Sequence, residues 1–174
     1  MIKQIFPLLF AALLAAACSS TAPPTRHYRL PDSAVHLPER GGTAAVRVEL
    51  AEPLQNNGLM YQTDAHTVNF ARNNLWAEPL ADSMAAALAN KLNRLGGRYL
   101  PQAHADGRLP VLKVYIDRFQ GHFDGRTEIG GYAQYADGRR RNFRVYTPQQ
   151  GDGYDAMVDS LSGGLEEVAR QIAP

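Results

Sequence analysis

From Ala44 onward the apolar residues of this chain follow two different periods, and the order in which those periods alternate restricts the fold more than any other property of the sequence. Val46, Val48 and Leu50 point one way while Arg47 and Glu49 point the other, until Pro53 ends the run, as in a half-buried strand. Extended segments are expected again at Leu59 to Thr63 and Thr67 to Phe70, with Asp64 in the turn between them. The period then changes. Leu80, Met84, Leu88, Leu92 and Leu95 recur every three or four residues and make one stripe of a helix that starts at Pro79 and stops at Gly96-Gly97. Ala81, Ala85, Ala86, Ala87 and Ala89 favour the helix and permit close approach to whatever it covers.

The second half repeats the scheme without repeating its residues. Leu112, Val114 and Ile116 alternate with Lys113, Tyr115 and Asp117, and the strand is expected to continue through a bulge across Phe119 to Phe123. Gly125 turns the chain into Thr127 to Tyr135, and Asp137-Gly138 is a tight-turn pair before Arg139 to Thr147. Asp152 is placed to cap a last helix bearing Met157, Leu161, Leu165, Val168 and Ile172 on one face. Strands joined by short turns predict antiparallel pairing, and two one-sided helices predict a single covered face. The expected fold is α+β: a two-layer sandwich in the order βββα-βββα, with a mostly antiparallel sheet and both helices on one face, formed by residues 43–174 as a single domain.

Residues 1–42 are of another kind. Lys3 precedes an apolar run from Ile5 to Ala17 that ends in Ala15-Ala16-Ala17, the layout of a secretory signal. The run is shorter than the roughly 20 residues needed to cross a bilayer as a helix, so removal of residues 1–17 is expected rather than a retained span. Cys18 directly after three small residues resembles the lipobox of bacterial lipoproteins, although Ala15 stands where that box usually has leucine. The other reading is an ordinary cleavage that leaves a free thiol. Cys18 is the only cysteine, so no disulfide competes for it, and lipidation is the expectation. Several acyl chains together would hold the protein on a bilayer. The lipoprotein resemblance implies sorting to the outer membrane, since Ser19-Ser20 follow the cysteine where an aspartate would retain such a protein at the inner membrane. Residues 18–42, rich in Ser, Thr, Pro and Gly, read as a flexible tether, within which His27-Tyr28-Arg29-Leu30 has the alternation of a short edge strand.

Loss of Lys3 with the signal would leave 17 basic and 17 acidic side chains, a balance that argues against nucleic acid as a partner. Chemistry is equally sparse. His27, His36, His66, His104 and His122 share no spacing that would build a metal site, and no serine stands on a nucleophile turn, since Ser83, Ser160 and Ser162 fall inside helices. No glycine-rich phosphate loop occurs. Catalysis, a metal and a cofactor are therefore not expected, the lipid on Cys18 being the one attached group.

Two features stand out as candidate partner contacts. Trp76, the only tryptophan, sits in Asn73-Asn74-Leu75-Trp76-Ala77-Glu78-Pro79-Leu80 at a strand-to-helix junction, where packing over the helix start competes with a contact role. Arg139, Arg140, Arg141 and Arg144 lie on a hairpin near Tyr132, Tyr135 and Tyr146, and either form a solvated face or anchor an interface, for which Arg and Tyr are suited.

The Cys18 site, Tyr28-Arg29-Leu30, the strand Val46 to Leu54, the junction Leu75 to Leu80 and the strand Val114 to Phe119 together resemble the ABC-type transport auxiliary lipoproteins, and they span nearly the whole mature chain. The resemblance implies an outer-membrane lipoprotein facing the periplasm, without catalysis, that works with the periplasmic subunit of a mammalian-cell-entry (MCE) type lipid transport system. It also implies self-association. The alternative expectation is a lipoprotein that binds a lipid or glycan, or regulates cell-wall synthesis, through the groove between helices and sheet.

Overall fold

The computed structural model describes residues 23–174; the expected signal sequence and Cys18 lie outside the described residues. The strands are β1 (Arg26–Tyr28), β2 (Ala44–Leu50), β3 (Gly58–Gln62), β4 (Val68–Trp76), β5 (Tyr99–Pro101), β6 (Val111–Gly121), β7 (Arg126–Gln134) and β8 (Arg140–Pro148). The helices are α1 (Leu80–Arg94) and α2 (Gly153–Ile172), with single 3-10 turns at Glu52–Gln55 and Gln102–His104.

All eight strands join one sheet, and both helices pack on the same side of it and against each other, α1 over β2 and β5, α2 over β7 and β8. The two-layer α+β expectation holds. The apolar stripes are buried as their spacing requires, Leu80, Met84, Leu88 and Leu92 on α1 and Met157, Leu161, Leu165, Val168 and Ile172 on α2, except that Leu95, expected to end the first stripe, lies past the last turn of α1 and is exposed. Small residues let α2 sit close to the sheet. A Cβ on Gly164 would come within 2.8 Å of Ile129 Cδ1 and 2.9 Å of Thr147 Oγ1. The Ser160 hydroxyl, buried in this contact, lies 2.8 Å from Thr127 Oγ1 and 3.1 Å from the Thr147 carbonyl oxygen, so the helix is hydrogen-bonded down as well as packed.

The sheet is mixed: the antiparallel pairing expected at the short turns is present in β3–β4 and through β6–β7–β8, but β2 does not pair with β3 as the expectation required. Only β3–β4, β6–β7 and β7–β8 are antiparallel; β1–β4, β2–β5, β2–β6 and β3–β6 are parallel. The cause is the turn at Glu52–Gln55. It carries the chain onward instead of back, so β2 and β3 lie in succession along one edge of the long β6, with Leu50 beside Ile116 and Tyr61 beside Gly121. The expected bulge is present between Ile116 and Arg118, and it shifts the buried series from 112, 114 and 116 to Phe119. Opposite it the strands approach so closely that a Cβ on Gly131 would fall 1.9 Å from the Tyr115 carbonyl oxygen; only glycine fits.

The short edge strand expected at His27 to Leu30 is present as β1, but the described part of the expected tether is packed and not a free linker. From Arg26 the chain is part of the fold: β1 pairs with the end of β4, and Tyr28 and Leu30 are buried. Beyond them the segment is fastened to α1. Asn90 Nδ2 donates to the Asp32 and Ala34 carbonyl oxygens at 2.8 and 2.7 Å. Asp32 itself, held at φ +66°, accepts from Arg94 at 2.8 Å and stands 3.5 Å from Lys91 Nζ. Composition hides this fastening, because it is made by Asp32 and by backbone carbonyl oxygens in a run of polar, proline and glycine positions.

Candidate interaction surfaces

Trp76 ends β4 and is 8% exposed, packed against Phe119 with ring centroids 6.0 Å apart. Its backbone N–H donates to the Asn57 carbonyl oxygen at 2.7 Å, and the following Ala77 N–H donates to that of Tyr28 at 2.8 Å. The junction therefore ties β1, β4 and the start of α1 together. A buried indole leaves little surface for a partner, so this residue belongs to the core.

The four hairpin arginines do not act as one patch. Arg139 folds back on its own turn, 2.7 Å from Asp137 and over the Tyr135 ring at 5.0 Å, and its hydrogen bond holds the Asp137 carboxyl below the usual range. Arg141 points to the helix side and donates to the Gln171 carbonyl oxygen at the end of α2, where a cation suits the helix dipole. Arg144 pairs with Glu128 at 3.0 Å. Arg140 alone makes no hydrogen bond or ion pair among the described residues.

What the register does assemble is the face of the sheet that no helix covers. Lys113, Gln134 and Arg140 form one cross-strand row, and Tyr115, Tyr132 and Asn142 the next, with the two tyrosine rings stacked at 5.3 Å. Arg118 and Arg144 flank Gly130, whose missing side chain lets Arg118 lie across it. Gln120, Glu128 and Tyr146 make the fourth row. There Glu128, only 4% exposed, accepts from Gln120 Nε2 at 3.2 Å, Tyr146 Oη at 3.1 Å and Arg144 Nε. These rows leave Lys113, Arg118 and Arg140 without an acidic partner among the described residues beside exposed aromatic rings, the composition that anchors protein interfaces. Sequence reasoning missed Lys113 and Arg118 as contacts; strand alternation placed Lys113 on the outer face but Arg118 on the inner one, and only the bulge between Ile116 and Arg118, located in three dimensions, turns Arg118 outward level with Arg144.

A second polar cluster sits on the opposite layer. Lys91 is buried between Asp32 and Glu166, 3.5 Å from each, and Arg94 bridges the same carboxylates at 2.8 and 3.2 Å. Burial alone would raise both carboxyls, but hydrogen bonds and charge from Arg94 and Lys91 outweigh it and hold both below their ordinary values. This cluster clasps the N-terminal segment to both helices. No group of His, Cys, Asp and Glu suited to a metal ion occurs among the described residues, and no described helix is long and apolar enough to cross a membrane.

A half-open groove of about 560 Å³ runs beside the first half of α1, floored by Val46 and Val48, walled by Ala81 and Ala85, and rimmed by Pro101 and His104. It is the expected groove between helix and sheet, and its lining also includes the polar residues Arg47, Glu78, Asp82 and Gln102.

Residues 28–173 match the family model described as the ABC-type transport auxiliary lipoprotein component. The chain is 33% identical over 172 residues to the intermembrane transport lipoprotein PqiC of Escherichia coli K12, covering 94% of this chain and 92% of that protein, and equally similar to PqiC of Shigella flexneri. A crystal structure of an uncharacterized protein superposes with a TM-score of 0.71 at 29% identity, covering 87% of this chain and 97% of the other. A Xanthomonas campestris protein shares the fold, with a TM-score of 0.59 at 15% identity over 88% of this chain and 89% of that one. With the family model matched from the first strand to the last helix, and a curated member of like length similar along nearly all of it, the chain belongs to the ABC-type transport auxiliary lipoproteins.

Proposed function

We propose that this protein is a docking subunit, held at the periplasmic face of the outer membrane by lipid on Cys18, that receives the far end of an MCE-type periplasmic subunit of a lipid transporter. It acts by contact and not by catalysis, and it needs no cofactor beyond its covalent lipid. The observation that carries the reading is the uncovered sheet face, where Lys113, Arg118 and Arg140 have no acidic partner among the described residues and stand beside Tyr115 and Tyr132 in a protein whose family serves transport. Self-association would multiply that face around a central partner. The packed N-terminal segment sharpens the arrangement. With the fold starting at Arg26, only seven residues separate it from Cys18, and at roughly 3.3–3.6 Å per residue the domain stays within about 30 Å of its anchor.

Gentle detergent extraction tests the reading. Wild-type protein should come out of membranes with an MCE-domain protein bound, and Cys18→Ala should move the domain to the soluble fraction. Recovery without any such partner contradicts it. The groove beside α1 favours one other reading, direct binding of a lipid or glycan, since its size suits a small ligand. Native mass spectrometry of residues 24–174 separates the two: a bound lipid supports the second, a clean protein mass the first.

A further inference from the structure

We infer that the end of the sheet where β3 and β6 finish is a second membrane contact, with Phe123 at the tip of the β6–β7 turn entering the headgroup layer of the bilayer. The inference rests on the reading that Cys18 is the anchor, and it follows from where the anchored segment joins the fold. β1 runs parallel to β4, β4 antiparallel to β3, and β3 parallel to β6. The chain before Arg26 therefore leaves toward the end of the sheet where β3 and β6 stop. Arg26 marks the position by pairing with Asp155 at 3.3 Å, in the first turn of α2, whose Tyr154 packs on Tyr61. With only seven residues between Cys18 and Arg26, the anchor lies within about 30 Å of this point, and the outgoing chain points to this end.

The exposed apolar groups collect at the same end. Among the described residues eight large hydrophobic side chains are exposed, and four of them, Val68, Phe70, Phe123 and Tyr146, lie within about three residues of it. Phe123, 50% exposed at a turn tip, is stacked on His122 at 4.4 Å, and His122 meets the edge of Tyr146 at 5.9 Å. A ring held rigidly at a projecting tip, with aromatic neighbours beneath, is what an interfacial contact requires. The charges around it are largely cancelled locally. Asp124 is 2.6 Å from Arg126 and Asp155 is paired with Arg26, which leaves Asp64 and Asp152. Such a contact is apolar, and it gains nothing from anionic lipid.

The consequence is an orientation. Acyl chains alone would let the domain swing, whereas a second contact stands the strands upright and turns the uncovered face sideways, where an elongated partner arriving along the membrane normal can lie against it.

The test uses the mature chain, residues 18–174, coupled through the Cys18 thiol to a maleimide phospholipid in vesicles of phosphatidylethanolamine and phosphatidylglycerol with brominated acyl chains. Phe123→Trp adds one fluorophore at the tip, while Leu95→Trp adds one at the opposite end, beyond α1. Trp76, buried, serves as an internal reference in both. The expected result is loss of most of the emission added by Phe123→Trp, unchanged by high salt or by omission of the anionic lipid, with the emission added by Leu95→Trp retained. Full emission from the Phe123→Trp fluorophore, or equal quenching at both positions, overturns the contact. Because the coupling is chemical, this result is independent of acylation in the cell. The intact mass of membrane-purified protein tests that separately: an unacylated mass refutes the anchor reading whatever the vesicles show.

Discussion

The two faces of this sheet solve opposite problems with the same strands. On the helix side, Val46, Val114, Ile129 and Phe143 meet α1 and α2 through apolar side chains and through small residues such as Gly164 and Ser160. On the uncovered side, the outward residues of β6, β7 and β8 are mostly polar, charged or aromatic, and the one buried carboxylate, Glu128, is held by three neighbours. The first face is built to exclude water, and its residues are dictated by volume. The second is stable without a cover, and its residues are free to be chosen for a partner. Substitutions on the two faces should therefore separate stability from function.

The largest separation is expected at Trp76. Trp76→Ala should cost about 3–5 kcal/mol in urea unfolding by emptying the site against Phe119, and any loss of partner binding should track the unfolded fraction. Gly164→Ala, on the helix side, should cost about 1–3 kcal/mol by forcing Ile129 and Thr147 apart from α2. Glu128→Ala tests the exception on the uncovered face. It strands Gln120 and frees Arg144, and thermal unfolding should show a loss of about 1–3 kcal/mol. A smaller change, about 1–2 kcal/mol, is expected for Asp32→Asn, which keeps a residue tolerant of positive φ while removing the charge facing Lys91 and Arg94. Since the Asp32 and Glu166 carboxyls are held below their ordinary values, their contribution is present above those values and is lost as pH falls through the lowered ones. Wild-type stability should fall below about pH 4, and the Asp32→Asn variant should show a shallower fall there. Arg118→Ala and Arg140→Ala should change stability by less than about 0.5 kcal/mol.

The covered face was legible in the sequence because burial leaves a period. Leu80 to Leu92 and Met157 to Ile172 announced both helices, and the alternation at Val46 and at Leu112 announced the central strands. Pairing was legible only where a short turn joins the strands, as in β3–β4, β6–β7 and β7–β8, since alternation says which way a residue faces and nothing about a distant neighbour; β2 pairs with β6 because the turn at Pro53 carries the chain away from a hairpin, in a direction that no local pattern encodes. β5 was missed because Tyr99 to Pro101 is too short to alternate, and it exists only through its partners Ala44 to Val46. The same limit applies to the surface. Four arginines close in sequence looked like one patch, but the turn keeps Arg139 on Asp137 and the pleat sends Arg141 to the helix side, leaving only Arg140 and Arg144 on the uncovered face, where Arg118, remote in sequence, stands beside Arg144 across Gly130.

Docking of the transporter subunit on the uncovered face is tested most directly by changing Lys113, Arg118 and Arg140 to glutamate together and measuring partner recovery from membranes alongside the melting temperature. Recovery of the MCE-domain protein should collapse while the melting temperature stays within a few degrees of wild type. Undiminished recovery by a folded triple variant would contradict the docking role of this face.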